Sequence, residues 1–294
     1  MLQLGRDRLS LGLLPEAGGA IAWLSSDGVD VLRRGDPAAV ALDPTAAACF
    51  PLVPYFGQVM GGRFRFADHE HRLAGTHPSE PEPVHGEGWV VPWELVEQGP
   101  ATAMLRYRHL PGPGTFPFPY LAEQRIALDG DGLAITLAVT CTGQRPMPAG
   151  IGVHPYFPDR RGLRLELPVS GMWRRRPLET AADPVGPVPE AWRPALAGPA
   201  SDLVTDDCFV GWAGKARLEW PGRGIAVELG AEPVFRFVQL YSTAEEDFLC
   251  VEPVSNANDG LNLMAGGVEG HGIRVLAPGE RLAGTVRIAV RHTG

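Results

Sequence analysis

Residues that break helices and strands recur along the whole of this chain, and their spacing constrains the fold more than any other feature. Of 294 residues, 37 are glycine and 29 are proline. They are spread through the sequence and not banked in one linker, which means many short elements and many turns. Apolar residues make up 45%; a disordered chain would not carry so many, and they suffice for a real core. Between the breakers, apolar positions alternate with the period of a strand. Leu2, Leu4, Leu9, Leu11 and Leu13 do so near the start, and Phe235 to Tyr241 and Leu282 to Val290 near the end.

Local turn chemistry predicts specific hairpins. Leu121 to Leu128 should meet Leu133 to Cys141 across Asp129-Gly-Asp-Gly132, a sequence suited to the positive-φ turns that join antiparallel strands. Ala216 to Trp220 should meet Ile225 to Leu229 across Pro-Gly-Arg-Gly, and Arg63-Phe-Arg-Phe66 should meet Asp68 to Leu73. Residues 36–49 have room for one helical turn, limited by Pro37 and Pro44. With turns about every eight to twelve residues and no helix of three turns, the expected fold is all-β, a large antiparallel β-sandwich. No repeat or composition break divides it, so residues 1–294 read as a single domain.

The charge balance narrows the partners. The net charge is −8, and the longest basic run is Arg174-Arg175-Arg176; a nucleic-acid surface normally needs clustered Lys and Arg. No window approaches the roughly 18–20 apolar residues of a membrane span, and the start lacks the pattern of a signal peptide. Cys49, Cys141, Cys208 and Cys250 are far apart and form no C-x-x-C pair. Four reduced, buried thiols in a cytoplasmic protein is the simplest expectation.

Candidate chemistry sits where polar residues are expensive. Glu252 ends the apolar run Phe248-Leu-Cys-Val, where a carboxylate costs stability unless it is paired or working. His154 lies in Gly150-Ile-Gly-Val-His-Pro-Tyr-Phe, with Pro155 biasing it toward an extended conformation and the two glycines clearing the approach. His85 stands in a Gly-flanked loop beside Trp89, within a stretch (74–92) too long to be a mere connector. Asp206 opens a turn before Phe209, and Gln239 alternates with Val238 and Leu240 on a strand. Taken singly, Asp206 reads as a turn residue, Gln239 as an edge polar group and Glu252 as a salt-bridge partner. Together with Trp and Tyr side chains they make a sugar site, in which aromatic faces receive the ring and amides and carboxylates its hydroxyls. His69 and His71 share a face of their hairpin, but no third ligand stands nearby and no metal is expected.

The ordered set of these segments resembles the aldose 1-epimerase (galactose mutarotase) family. The matching pieces are Pro51-Leu-Val-Pro-Tyr55 with Gly61-Gly-Arg-Phe64, His85-Gly86 with Gly88-Trp89, Gly152-Val-His-Pro-Tyr-Phe157, Asp206-Asp-Cys-Phe209, Gln239-Leu-Tyr241, Val251-Glu-Pro-Val254 with Asn262, and Leu276-Ala-Pro-Gly-Glu280. The resemblance implies a cofactor-independent isomerase acting on a free sugar, as monomer or homodimer. Glu252 would be the general base at the C1 hydroxyl and His154 the general acid at the ring oxygen. His85, Asp206 and Gln239 would bind the sugar. Two positions depart from the pattern. Gly57-Gln58 stands where the family commonly has Asn-Arg, so a cation is lost unless Arg63 or Arg236 substitutes. Glu87 stands where an apolar residue is usual. A sugar-binding protein without catalysis, a glycoside hydrolase using Asp206 and Glu252, and a hexose-6-phosphate epimerase are the alternatives.

Overall fold

The computed structural model describes residues 1–78, 80, 82–173 and 185–293. The basic run Arg174-Arg175-Arg176 lies outside them. Two large antiparallel sheets dominate. One has nine strands, in the order Ala197–Pro199, Arg164–Glu166, Lys215–Trp220, Ile225–Ala231, Arg281–His292, Gly132–Cys141, Tyr120–Leu128, Thr102–His109, Glu94–Gln98. The other runs Val185–Gly186, Gly171–Trp173, Thr205–Val210, Phe237–Ser242, Phe248–Val254, Gly152–Val153, Pro51–Leu52, with Tyr156–Pro158 also paired to Phe248–Val254.

All three expected hairpins form. Leu128 pairs with Leu133 across the Asp-Gly turn, Trp220 with Ile225, and Phe66 with His69. Side-chain parity then decides what each strand buries. In Tyr120–Leu128 every second residue is fully buried. Phe248–Val254 is buried at all seven positions, because both of its faces are covered. Val238, Leu240, Leu249 and Val251 point into the core shared with the nine-stranded sheet, where Ile126, Leu133 and Leu137 meet them. Phe237, Cys208, Cys250, Val254 and Tyr156 belong to a second apolar cluster on the other face, with Phe50, Phe56 and Trp89.

Helices are short. Pro37–Leu42 and Gly260–Ala265 are six residues each. Pro37 begins the first of these: Asp36 caps it by accepting a hydrogen bond from the Ala38 amide, and proline at the first helical position loses no bond. The four cysteines are free and buried. No helix among the described residues is long and apolar enough to cross a membrane.

Candidate active site

The second face of the eight-stranded sheet carries the polar residues. Gln239 lies directly opposite Glu252 on one side and Cys208 on the other. The next row on that face runs Asp206, Tyr241, Cys250, Tyr156. Adjacent antiparallel strands bring residues in one row within side-chain reach. Residues 45 to 58 and the His85 loop close over this face. They leave a cavity of about 350 Å³ lined by, among others, His154, Glu252, His85, Gln239 and Asp206. All five expected site residues therefore share one cavity of a size usual for small ligands.

His154 and Glu252 form its centre. His154 Nε2 is 3.4 Å from Glu252 Oε1, and both side chains are buried. The segment holding His154 is anchored on both flanks: its amide donates to Phe50 O at 3.0 Å, and the Tyr156 amide donates to Ala48 O at 2.9 Å. The imidazole stacks on Tyr156, with ring centroids 4.6 Å apart, and packs at a tilt of 35° against Phe50 at 4.5 Å. Gly150 and Gly152 serve packing and do not clear a path to the site. A Cβ on Gly150 would lie 2.0 Å from Asn256 Oδ1, and one on Gly152 would lie 2.8 Å from Val254 Cγ1.

His85 approaches His154 edge-on, with centroids 5.7 Å apart and planes at 89°. Its backbone is left-handed, at φ +62°, and Gly86 follows at +66°. A Cβ on Gly86 would strike Pro54 and the Val53 carbonyl. A reciprocal pair of hydrogen bonds holds this strained turn: the His85 amide donates to Gly57 O, and the Gly57 amide donates to His85 Nδ1 at 3.1 Å. An accepting Nδ1 puts the proton of the neutral ring on Nε2, so His85 offers a donor at its other end. The Trp89 indole N–H, donating to Val84 O and Gly86 O, ties down the same loop.

Burial sets the electrostatics. It pushes His85 down to about 3, so this ring is neutral near pH 7. Burial, then His85, then Arg33 hold His154 well below its ordinary value. Burial, then the Asp206 carboxylate, push Glu252 well above the usual carboxylate range. These opposed shifts favour the state in which the dyad carries one proton between its two residues. Gln239 donates from Nε2 to Asp206 Oδ1 at 2.7 Å. Three buried atoms of the site, His154 Nδ1, Gln239 Oε1 and Glu252 Oε2, have no hydrogen-bond partner among the described residues. Buried polar atoms without partners are uncommon in folded proteins, and here they belong to side chains lining one cavity.

His154, Cys250 and Glu252 each present a ligand atom, all within 4.8 Å of one another, and these donor types suit zinc. Burial holds the Cys250 thiol well above its usual value, in the protonated form that binds metals poorly. His69 and His71 are not in this group: His71 packs on Phe64 and Phe118, and His69 is exposed.

Two structural groups escaped the sequence reading. Asn256, fully buried, accepts from the Phe56 amide and donates to Phe56 O, and Asn258 accepts from the Gln58 amide. They pin the 56–58 segment across the cavity, and the signal that could have found them is the Asn256-Ala-Asn258 pair, which begins three residues after Pro253. The second is a cation. Neither Arg63 nor Arg236 lines the cavity; Arg33 does. Nothing local to Arg33 marks it, since it arrives by pairing of its amide with Tyr156 O at 2.9 Å. Glu87 does not line the cavity: its Oε1 lies 2.8 Å from His109 Nδ1, beneath the His85 loop, and burial, then Glu87, oppose ionisation of the buried Tyr55 and Tyr120 and the half-buried Tyr107.

The profile of the aldose 1-epimerase family matches residues 2–289. The uncharacterized protein YphB of Escherichia coli (strain K12) is 32% identical over 282 residues, covering 94% of this chain and 93% of YphB. A crystal structure from Escherichia coli K12, provisionally described as an aldose 1-epimerase, superposes with a TM-score of 0.86 at 29% identity, covering 99% of this chain and 98% of that one. The GalM/aldose epimerase homologue from C. elegans shares the fold, with a TM-score of 0.81 at 15% identity over 100% of this chain and 99% of that chain. With a family match across nearly its whole length and a sandwich of the galactose mutarotase-like type, this chain belongs to the aldose 1-epimerase family.

Proposed function

We propose that this protein is an aldose 1-epimerase that interconverts the α and β anomers of a free aldohexose, with Glu252 as general base and His154 as general acid. The observation that carries the reading is the 3.4 Å contact between His154 Nε2 and Glu252 Oε1 at the floor of the cavity. The two groups do not flank a sugar ring; they adjoin each other. That spacing suits two oxygens on one carbon, and C1 of a pyranose bears both the hydroxyl O1 and the ring oxygen O5.

The proton balance follows. The Glu252 carboxylate takes the proton from O1, O1 becomes a carbonyl as the C1–O5 bond breaks, and the His154 imidazolium delivers its proton to O5. Rotation about C1–C2 turns the aldehyde over. His154 then takes the proton back from O5 as O5 attacks C1, and Glu252 returns a proton to O1. The dyad holds one proton before, during and after. Burial favours the state in which both groups are neutral, which is the dyad's state while the ring is open. Each positioned proton transfer is worth about 10²–10⁴ in rate. His85 donates from Nε2, and Asp206 and Gln239 take hydroxyls from a sugar stacked among Phe50, Trp89 and Tyr156. The chemistry is complete with protons alone, so no cofactor is assigned.

The test is exchange of saturation between anomer signals by NMR over a panel of aldoses and their 6-phosphates. Glu252→Gln and His154→Asn should each lower exchange by about 10²–10⁴ while sugar still binds. Near-normal exchange in either variant refutes the assigned roles. Binding by the wild type with no exchange of any aldose identifies a sugar-binding protein instead.

A further inference from the structure

Resting on the reading above, we infer that Arg33 determines specificity by hydrogen-bonding the oxygen on C6 of the sugar.

Arg33 is held rigidly. Its backbone amide donates to Tyr156 O, its Nε donates to Ala47 O at 2.9 Å, and its Nη2 donates to Ala47 O and Thr45 O. The guanidinium lies over the Tyr156 ring, with Cζ 3.5 Å from the centroid. Nη1 makes no hydrogen bond among the described residues, and Arg33 is half-buried in the cavity wall. A guanidinium with one edge bound and the other facing a cavity is a preorganised donor for a ligand oxygen.

Its position relative to the dyad says which oxygen. The cavity has two ends. At one, Glu252 pairs in register with Gln239, which donates to Asp206. At the other, His154 stacks on Tyr156, which carries Arg33. The charges act accordingly: after burial, Asp206 raises Glu252, and after burial and His85, Arg33 lowers His154. With O1 at Glu252 and O5 at His154, the ring is oriented. C2 and its hydroxyl follow C1 toward Gln239 and Asp206, while C5 follows O5 toward Arg33. The substituent on C5 is the exocyclic C6. One free nitrogen, in a cavity also lined by Glu80 and Glu246, suits a hydroxyl and disfavours a dianionic phosphate.

The experiment compares kcat/KM for anomer exchange of D-glucose and D-galactose with that of their 6-deoxy analogues, in the wild type, Arg33→Met and Arg33→Lys. A hydrogen bond to a charged group predicts a wild-type preference for the C6 hydroxyl of roughly ten- to a hundredfold. Arg33→Met should bring the ratio near unity, with Arg33→Lys between. The ratio is taken on one preparation, so partial unfolding of a variant cancels, and a merely structural arginine would leave it unmoved. An unchanged ratio in Arg33→Met, or no wild-type preference, overturns this assignment while the acid/base reading stands. Absence of exchange with every sugar in the wild type overturns the acid/base reading itself, and this inference with it.

Discussion

Replacing Glu252 with glutamine should cost activity and add stability, and the stability gain should depend on pH. The strand carrying Glu252 is buried at all seven positions, the side chain is 1% exposed, and one carboxyl oxygen has no hydrogen-bond partner among the described residues. Burial, then Asp206, raise its folded pKa well above its ordinary value of 4.5. The folded protein thus binds this proton more tightly than the unfolded chain does. The stabilisation that goes with it is whole below pH 4.5 and fades as pH rises through the folded value. Glutamine, of the same shape and without charge, has no such loss. The advantage of Glu252→Gln over the wild type should therefore grow by up to about 1.4 kcal/mol per pH unit above 4.5, levelling off beyond the raised pKa. His154, shifted down by burial, adds the opposite trend; it touches Glu252, so the two trends are coupled, and the same comparison in a His154→Asn background, where Glu252 alone of the pair titrates, isolates the carboxyl. At roughly 2–4 °C per kcal/mol for domains somewhat smaller than this one, thermal unfolding at pH 5, 6.5 and 8 resolves the effect. Anomer exchange on the same samples should be lost at every pH. A stability difference that stays flat from pH 5 to 8, or that falls, would show that the carboxyl is not held in a strained, charged environment, and the account of the dyad would fail.

Two further outcomes follow from the same geometry. Asp206→Asn keeps an oxygen for Gln239 Nε2 but removes the charge that raises Glu252; the alkaline limb of the kcat profile should move to lower pH, and an unmoved limb would separate Asp206 from the dyad. Glu87→Ala removes the 2.8 Å contact with His109 beneath the His85 loop; stability should fall by about 1–3 kcal/mol, with KM for the sugar rising more than kcat falls, and Glu87→Gln restoring most of both, as read by denaturant unfolding and saturation kinetics.

Much of the fold was legible because its signals are local. The Asp-Gly turn at 129–132, the Pro-Gly-Arg-Gly turn and the alternation of Tyr120–Leu128 act over a few residues, and the hairpins they predict form in register. Glu252 and His154 stood out for a related reason: a carboxyl closing an apolar run is costly wherever the strand lies. The glycines before His154 misled, since a missing side chain announces close packing without saying against what. Here Asn256 and Val254, about a hundred residues away in sequence, supply the answer.

The sequence by itself determined where strands begin and end, which side chains share a face and which polar groups must have a purpose. Only the tertiary structure decided which strands lie side by side. That choice sets Gln239 opposite Glu252, brings Arg33 over Tyr156 and puts His154 against Glu252 instead of across a ring from it. The period of a strand is a property of one segment's covalent geometry, whereas its neighbour is selected by the burial of both faces of a whole sheet, and no window of the chain contains that information.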